Sequence, residues 1–229
     1  MSSFECNGGT VQELGGLKSY ITGPPHSKLA ILLISDVLGY ETPKLRKLAD
    51  KVGAAGFLVL VPDLLFGDYY ELNNPNFDQQ SWIKAHGIEK ASQDTEPLIA
   101  ALKSKGVTAI GVAGFCWGGA VAAKLASSID IYAVVLLHPA LITNDIINEV
   151  KVPIAILGAE IDNSSSPEQL KQFGEMLSLK AEKFESFVKI YDGVATGWTV
   201  WYKDEDESSV KRAEEAHQEM LKWFKKHIK

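Results

Sequence analysis

Gly114-Phe115-Cys116-Trp117-Gly118-Gly119 is the stretch of this sequence that decides its fold. The residues before it, 108–113, are mostly apolar and predict a short buried strand. The residues after it, 120–126, are rich in alanine and predict a helix. A strand, a glycine-flanked turn and a helix are therefore expected to follow one another directly, with the thiol of Cys116 at the tip of the turn.

The glycines around Cys116 have a physical explanation. The residue at the tip of so sharp a turn has a strained backbone, and side chains two positions to either side would collide with the neighbouring strand and helix. The helix directs its N-terminus at Cys116, and its dipole is expected to favour a thiolate. This pattern is typical of the nucleophile elbow of α/β-hydrolases, with cysteine in place of serine. The alternative is a buried structural cysteine in a tightly packed turn.

The composition is that of one globular domain covering residues 1–229. A hydrophobic content of 46% allows a large core, and a net charge of −6 argues against a nucleic-acid surface. Neither a basic run nor a long apolar stretch suggests a membrane, and the N-terminus does not resemble a secretory leader. Cys6 and Cys116 form no disulfide framework, and no Cys/His cluster has zinc spacing. We expect a cytoplasmic monomer or dimer without a metal or cofactor.

Strands and helices are predicted to alternate along the chain. Buried strands are predicted from apolar runs at 28–35, 57–61, 108–113, 131–137, 152–158 and 187–191, and an edge strand at 15–22. Helices are predicted at 43–54, 89–105, 120–126, from 167 and at 207–228. Residues 64–82, rich in aromatic residues and Asn, predict a long loop over the sheet edge, either functional or merely packed. The alternation predicts an α/β fold with a mainly parallel sheet.

The candidate site residues follow the strands, because functional groups of an open α/β sheet lie at the carboxyl ends of its strands. Those residues are Asp36, Cys116, His138, Asp162 and the loop 192–201. Asp162 suits the acid in the order nucleophile, acid, histidine, although it is also suited to forming a turn. The backbone N–H of Trp117, with that of Val37 or Leu38, is a candidate oxyanion donor, which needs no particular side chain.

Three motifs carry a resemblance to a known family: the elbow, Ser35-Asp36-Val37-Leu38-Gly39, and Gly193-Val194-Ala195-Thr196-Gly197-Trp198. With these motifs the chain resembles the dienelactone hydrolase family, in particular its plant members, over nearly its whole length. The resemblance implies an α/β-hydrolase fold, with a mainly parallel eight-stranded sheet flanked by helices. It also implies a Cys-His-Asp triad that acts on lactones and other esters, with Asp162 as the acid and Asp36 where bacterial relatives carry a glutamate that contacts the nucleophile.

The chain departs from the family pattern at two positions. Thr196 stands where the family has the triad histidine, and a hydroxyl does not accept a proton at neutral pH. Trp201 stands where plant relatives have an arginine suited to a substrate carboxylate. None of the five histidines, at 26, 86, 138, 217 and 227, falls in this loop. We expect His217 and His227 to be solvated, and we interpret His138 as structural rather than as a replacement base.

These features leave three functional hypotheses. The first is a hydrolase of a lactone or other small ester, acting through Cys116 with an incomplete triad. The second is a repurposed isomerase, cyclase or lyase, and the third is a ligand-binding protein without catalysis. In each case the ligand is a small molecule, expected to be apolar or aromatic because aromatic side chains are predicted around the site. The expected binding residues are Asp36, Phe66, Tyr69, His138, Trp198 and Trp201, with Phe115, Trp117 and Tyr70 nearby.

Overall fold

The computed structural model describes residues 8–229, which fold around one eight-stranded sheet. The strands are β1 (Thr10–Leu14), β2 (Leu17–Thr22), β3 (Leu29–Ile34), β4 (Leu58–Pro62), β5 (Ala109–Phe115), β6 (Ala133–Leu137), β7 (Ile154–Ile161) and β8 (Ser186–Ala195). The helices are α1 (Pro43–Ala54), α2 (Gln79–Ala85), α3 (Ile88–Ser104), α4 (Trp117–Leu125), α5 (Asn144–Glu149), α6 (Pro167–Ser178) and α7 (Glu207–His227). Cys6 lies outside the described residues. No helix within residues 8–229 is long and apolar enough to cross a membrane.

The strand order is β1-β2-β4-β3-β5-β6-β7-β8. Strands β3 to β8 are parallel to one another, whereas β2 pairs with both β1 and β4 in the antiparallel sense. The chain leaves β3 towards β4 on one side and returns to β5 on the other side. Such a reversal opens a crevice at the carboxyl ends of the strands. The predicted α/β-hydrolase architecture, with a mainly parallel eight-stranded sheet, is confirmed.

Both faces of the sheet are covered by apolar side chains. Along β5, Ile110 and Val112 join the core on the face of α3 and α4, whereas Ala113 and Phe115 join the core on the face of α1 and α7. Side chains of a strand alternate between faces, so a strand buried on both sides must be apolar at every position. This explains why the central strands appear in the sequence as unbroken apolar runs.

Several boundaries differ from the sequence-based expectation. The predicted edge strand at 15–22 is a hairpin: β1 forms the edge, and Gly15 and Gly16, both with positive φ, turn the chain into β2. The predicted loop to residue 82 ends earlier, because Asp78 accepts a hydrogen bond from the N–H of Ser81 and caps α2. The short helix α5 was not predicted, and β8 extends to Ala195.

The turn between β5 and α4 depends on close backbone contact. A Cβ atom at Gly114 would overlap the carbonyl oxygen of Gly118, and one at Gly118 would overlap the carbonyl oxygens of Ile34 and Ser35. Helix α4 therefore approaches both β5 and the end of β3 more closely than any side chain allows. The expected collision two positions either side of Cys116 is confirmed.

Replacing Gly114 by alanine should lower the free energy of unfolding by about 3 kcal/mol or more, because the new methyl group overpacks rigid backbone. Urea unfolding followed by circular dichroism measures the change. Gly87→Ala is the matched control: Gly87 has a φ of −64° and open space at its Cβ position. The control should cost about 1 kcal/mol or less. Equal midpoints for the two variants would contradict the role given to Gly114.

Candidate active site

Cys116 lies at the tip of the turn between β5 and α4, half-buried. Its φ of 52° and ψ of −114° are unusual for a residue with a side chain, and it is the N-cap of α4. Its N–H donates to the carbonyl of Leu137 at 3.1 Å, and its own carbonyl accepts from the N–H groups of Gly119 and Ala140 at 2.9 and 3.0 Å. The end of β6 and the start of α4 thus fix the strained conformation that the elbow requires.

The thiol of Cys116 is protonated at neutral pH. Burial raises its pKa to about 12, and the carboxylates of Asp36 and Asp162 raise it further, against a lowering contribution from the N–H of Trp117. The N–H of Trp117 at the start of α4 lowers the thiol pKa in the expected direction, but it does not produce a resting thiolate. Burial and two nearby negative charges outweigh the N-terminus of α4, and any reaction of this sulfur requires removal of its proton.

Asp36 follows β3 and is almost fully buried, with 2% of its surface exposed. Its Oδ1 accepts the N–H of Leu38 at 2.8 Å, and its Oδ2 accepts the indole Nε1–H of Trp201 at 2.6 Å. Burial raises the pKa of this carboxyl, although both hydrogen bonds act in the opposite direction. Asp36 and Trp201 therefore join the turn after β3 to the loop after β8, beside Cys116.

Asp162 and Thr196 lie next to each other at the ends of β7 and β8. The N–H of Thr196 donates to the carbonyl of Ile161 at 3.1 Å, one residue before Asp162. The Oδ1 atom of Asp162 accepts the N–H groups of Ser164 and Ser165 at 2.8 and 3.3 Å, so Asp162 also forms the turn that was the alternative interpretation. Its effect on the thiol pKa nevertheless places its charge within reach of Cys116.

Two backbone N–H groups are available as oxyanion donors. That of Trp117 faces the sulfur of Cys116, and that of Val37 makes no hydrogen bond to any residue in the range 8–229. The N–H of Leu38 is not available, because it donates to Asp36. Of the three expected donors, Leu38 is therefore excluded.

Most of the expected binding aromatics belong to the core. Phe115 is fully buried, Trp117 donates its indole N–H to the carbonyl of His86 at 3.0 Å, and Trp198 packs between other buried rings. Phe66 is 60% exposed, and its ring lies near the Lys90 amine rather than near Cys116. Only Trp201 combines exposure with a contact to Asp36. Of the expected aromatic side chains, Trp198 and Trp201 line a cavity together with Thr196.

The loop 64–78 reaches the site through its backbone and one ring. The ring of Tyr69 packs on Gly39, where any side chain would overlap it, and the N–H of Tyr70 donates to the carbonyl of Val37 at 3.0 Å. The loop therefore covers the turn that follows Asp36. A cavity of about 490 Å³ lies beside the β8–α7 loop, lined in part by Thr196, Trp198, Trp201 and Arg212.

Two buried histidines hold the loop that carries Trp201. The Nε2 atom of His138 lies 2.7 Å from the Thr199 hydroxyl, and the Nε2–H of His217 donates to the Thr199 carbonyl at 2.8 Å. Burial lowers the pKa of His138 to about 3 and that of His217 to about 4, so both rings are neutral. The expectation that His138 binds substrate is wrong, because none of its surface is exposed.

The sequence analysis did not predict that His217 and Thr199 position the loop that carries Trp201. His217 was expected to be solvated, but only 3% of its surface is exposed. The signal was present in the sequence, because Ala213, His217, Met220 and Phe224 recur at helical spacing and share the buried face of α7. The expectation for His227 is also incorrect, since it is largely covered and lies 3.3 Å from a carboxylate oxygen of Glu185. Nothing in the sequence around Thr199 indicates its two partners.

Comparison with known proteins identifies the family. The model of the dienelactone hydrolase family matches residues 17–228. The chain belongs to the dienelactone hydrolase family. Membership of this family indicates a carboxylic ester hydrolase-like enzyme for small esters or lactones, and it agrees with the elbow and with the crevice at the carboxyl ends of the strands.

Relatives differ in how much of their length the chain covers. It is 44% identical over 168 residues to an endo-1,3;1,4-beta-D-glucanase of Zea mays, covering 73% of this chain but only 54% of that protein. It is 27% identical over 241 residues to a carboxymethylenebutenolidase homolog of Mus musculus, covering 97% and 96%. A putative dienelactone hydrolase structure from Klebsiella pneumoniae superposes with a TM-score of 0.76 at 18% identity, covering 96% and 98% of the two chains. That structure supports the fold.

Replacing His138 by asparagine should lower stability without changing the reactivity of Cys116. The loss of the bond to Thr199 in a fully buried site should cost about 1–3 kcal/mol of unfolding free energy. Urea unfolding measures this cost, and the rate of Cys116 alkylation against pH measures reactivity. Thr199→Val, which removes the same bond, should cost a similar amount. A folded His138 variant whose thiol pKa rises by a unit, about 1.4 kcal/mol, would instead make His138 a partner of the thiol.

Proposed function

We propose that this chain hydrolyses a small carboxylic ester or lactone through a thioester on Cys116, with an incomplete triad. The observation that carries the proposal is the position of the Cys116 thiol at the elbow, facing the N–H of Trp117. The N–H of Val37, one residue after Asp36, makes no hydrogen bond to any residue in the range 8–229. Two such donors can stabilise the oxyanion that forms when a carbonyl carbon is attacked. This arrangement supports an acyl-transfer site.

Acylation begins from a neutral thiol. With a pKa of about 12, formation of the thiolate at pH 7 costs about 7 kcal/mol, so a base must take the proton as the sulfur attacks. Asp36 is the base in this proposal, because it is buried beside Cys116 and its pKa is raised. The sulfur–carbon bond forms, the carbonyl electrons move to the oxyanion, and collapse of the tetrahedral intermediate expels the alcohol. The proton held by Asp36 goes to the leaving alkoxide.

Deacylation is the slow half of the reaction. Water must attack the thioester, release the carboxylic acid and return a proton to the sulfur of Cys116. Thr196 supplies no base for this step, and none of the histidines lies in the loop 192–201. In this proposal Asp162 would orient a base at residue 196, but the chain has no imidazole there. The thioester therefore accumulates.

The substrate class follows from the site and from full-length relatives. The carboxymethylenebutenolidase homologs, which the chain covers almost completely, are named for the opening of a lactone, and an elbow thiol suits acyl transfer. We propose a small, partly apolar ester or lactone whose body lies against the exposed face of Trp201. A reactive thiol is kept reduced in the cytosol, which is the proposed compartment.

Mixing the protein with p-nitrophenyl acetate should release one equivalent of p-nitrophenol rapidly, followed by a much slower steady rate. The burst reflects acylation of Cys116, and the slow phase reflects deacylation without a histidine. Stopped-flow absorbance gives both phases, and mass spectrometry locates the acetyl group. Cys116→Ala should abolish the burst. A thiol that reacts with iodoacetamide but is never acylated would instead favour a ligand-binding or repurposed site.

Replacing Thr196 by histidine should raise steady-state ester hydrolysis roughly 10²–10⁴-fold, because a general base then activates the water. The new imidazole would stand beside Asp162, which can orient it. The ratio kcat/KM for p-nitrophenyl acetate is the measurement. Adding Asp162→Asn to the same variant is the control, and it should remove most of the gain. An unchanged rate in a folded Thr196 variant would show that the geometry around residue 196 no longer suits a triad.

A further inference from the structure

The two carboxylates near Cys116 have only neutral hydrogen-bond donors. Asp36 accepts from the N–H of Leu38 and from the indole of Trp201, and Asp162 accepts from the backbone after it. Within residues 8–229, neither carboxylate forms an ion pair with a lysine, arginine or histidine. The negative charge beside the sulfur therefore has no neighbouring cation to offset it.

Lys44 and Arg212, which contact residues of the β8–α7 segment, have other partners. Lys44 pairs with Asp204 and its amine lies over the ring of Tyr202 at 4.3 Å. Arg212 pairs with Glu215 at 3.1 Å and donates to a backbone carbonyl at 3.0 Å. Arg212 also lines the cavity beside Trp201. Neither cation forms an ion pair with Asp36 or Asp162.

Trp201 occupies the position from which a cation could reach Asp36. Its backbone N–H donates to the carbonyl of Gly197 at 2.8 Å, and its ring packs so closely on Gly197 that a Cβ atom there would overlap it. The indole N–H then points at Asp36, and 39% of the residue stays exposed. Trp201 thus offers Asp36 a hydrogen bond without a charge, and it offers solvent an apolar face.

We infer that Trp201 makes this site selective for uncharged or cationic substrates and excludes esters that carry a carboxylate close to the reacting carbonyl. This inference rests on the proposed function and specifies its substrate class. An anionic substrate would bring a further negative charge to Asp36 and Asp162 in a partly desolvated site, where charges are poorly screened. The oxyanion adds yet another negative charge during reaction, so the penalty increases towards the transition state. A neutral ester avoids this penalty and contacts the indole face.

Methanethiosulfonate reagents with a sulfonate, a hydroxyl or a trimethylammonium group test the charge preference directly at the thiol. The experiment uses the full chain with Cys6→Ser, so that only Cys116 reacts. Rates are divided by those of 2-mercaptoethanol with the same reagents, which removes intrinsic reactivity. We expect the anionic reagent to react about tenfold more slowly than the neutral one after this correction, and the cationic one faster. Raising the salt concentration should narrow the differences between the three corrected rates only in part, because salt screens partly buried charges weakly.

Three variants separate charge from shape. Trp201→Arg should raise the corrected rate of the anionic reagent about tenfold relative to the neutral one, because it places a cation beside Asp36. Trp201→Phe keeps an uncharged ring without the N–H, and it should keep the preference. Tyr132→Arg adds the same charge at the half-exposed residue just before β6, at the opposite edge of the sheet, and should change nothing. Circular dichroism confirms folding of each variant.

A matched ester pair links the result to catalysis. Two p-nitrophenyl esters of equal shape, one ending in a carboxylate and one in a carboxamide, should acylate Cys116 at rates that differ in the same direction as the thiol reagents. If neither ester acylates Cys116, the proposed function fails, while the reagents still report the charge preference. Corrected reagent rates that are equal at low salt, or that Trp201→Arg leaves unchanged, would overturn the inference.

Discussion

The close approach of the backbone between β5, α4 and the end of β3 is the constraint on which the rest of the site depends. Cys116 has a positive φ, and Gly114 and Gly118 allow the helix to lie against two strands at once. This contact brings the N–H of Trp117 to the sulfur and places the thiol beside Asp36. The same contact covers the thiol, so the geometry that presents it also determines its protonation state.

Burial has a larger effect than the N-terminus of α4 on the protonation state of Cys116. A helix N-terminus favours a thiolate by a fraction of a unit charge, whereas removal from water and two carboxylates disfavour it. The site is therefore not a preformed nucleophile. It is a neutral thiol beside a buried carboxyl whose own pKa is raised. Such a site is protected from unwanted oxidation, because the thiolate is the reactive form.

Much of this arrangement could be predicted from sequence, because its signals are local. The unbroken apolar strands and the elbow glycines predicted the fold. The chain order correctly placed Cys116, Asp162 and residue 196 directly after the strands β5, β7 and β8. The features that were not predicted involve contacts between segments that are far apart in the sequence. The Asp36–Trp201 hydrogen bond joins residues 165 positions apart, and Thr199 meets His138 and His217 from two other elements. No local pattern encodes such pairs. The high pKa of Cys116 could not be predicted for the same reason, since the extent of burial depends on the whole fold.

The two hydrogen bonds of Thr199 limit the motion of the loop that carries Trp201. Its hydroxyl is tied to the end of β6 and its carbonyl to the middle of α7, so the segment from Thr196 to Trp201 moves only when one of those core elements moves. Its amide hydrogens should therefore exchange with water as slowly as those of the core. The segment 64–78 contacts the site through one ring and one backbone hydrogen bond. The loop that carries Trp201 is thus rigid, so a ligand meets one side of the site that does not adapt to it.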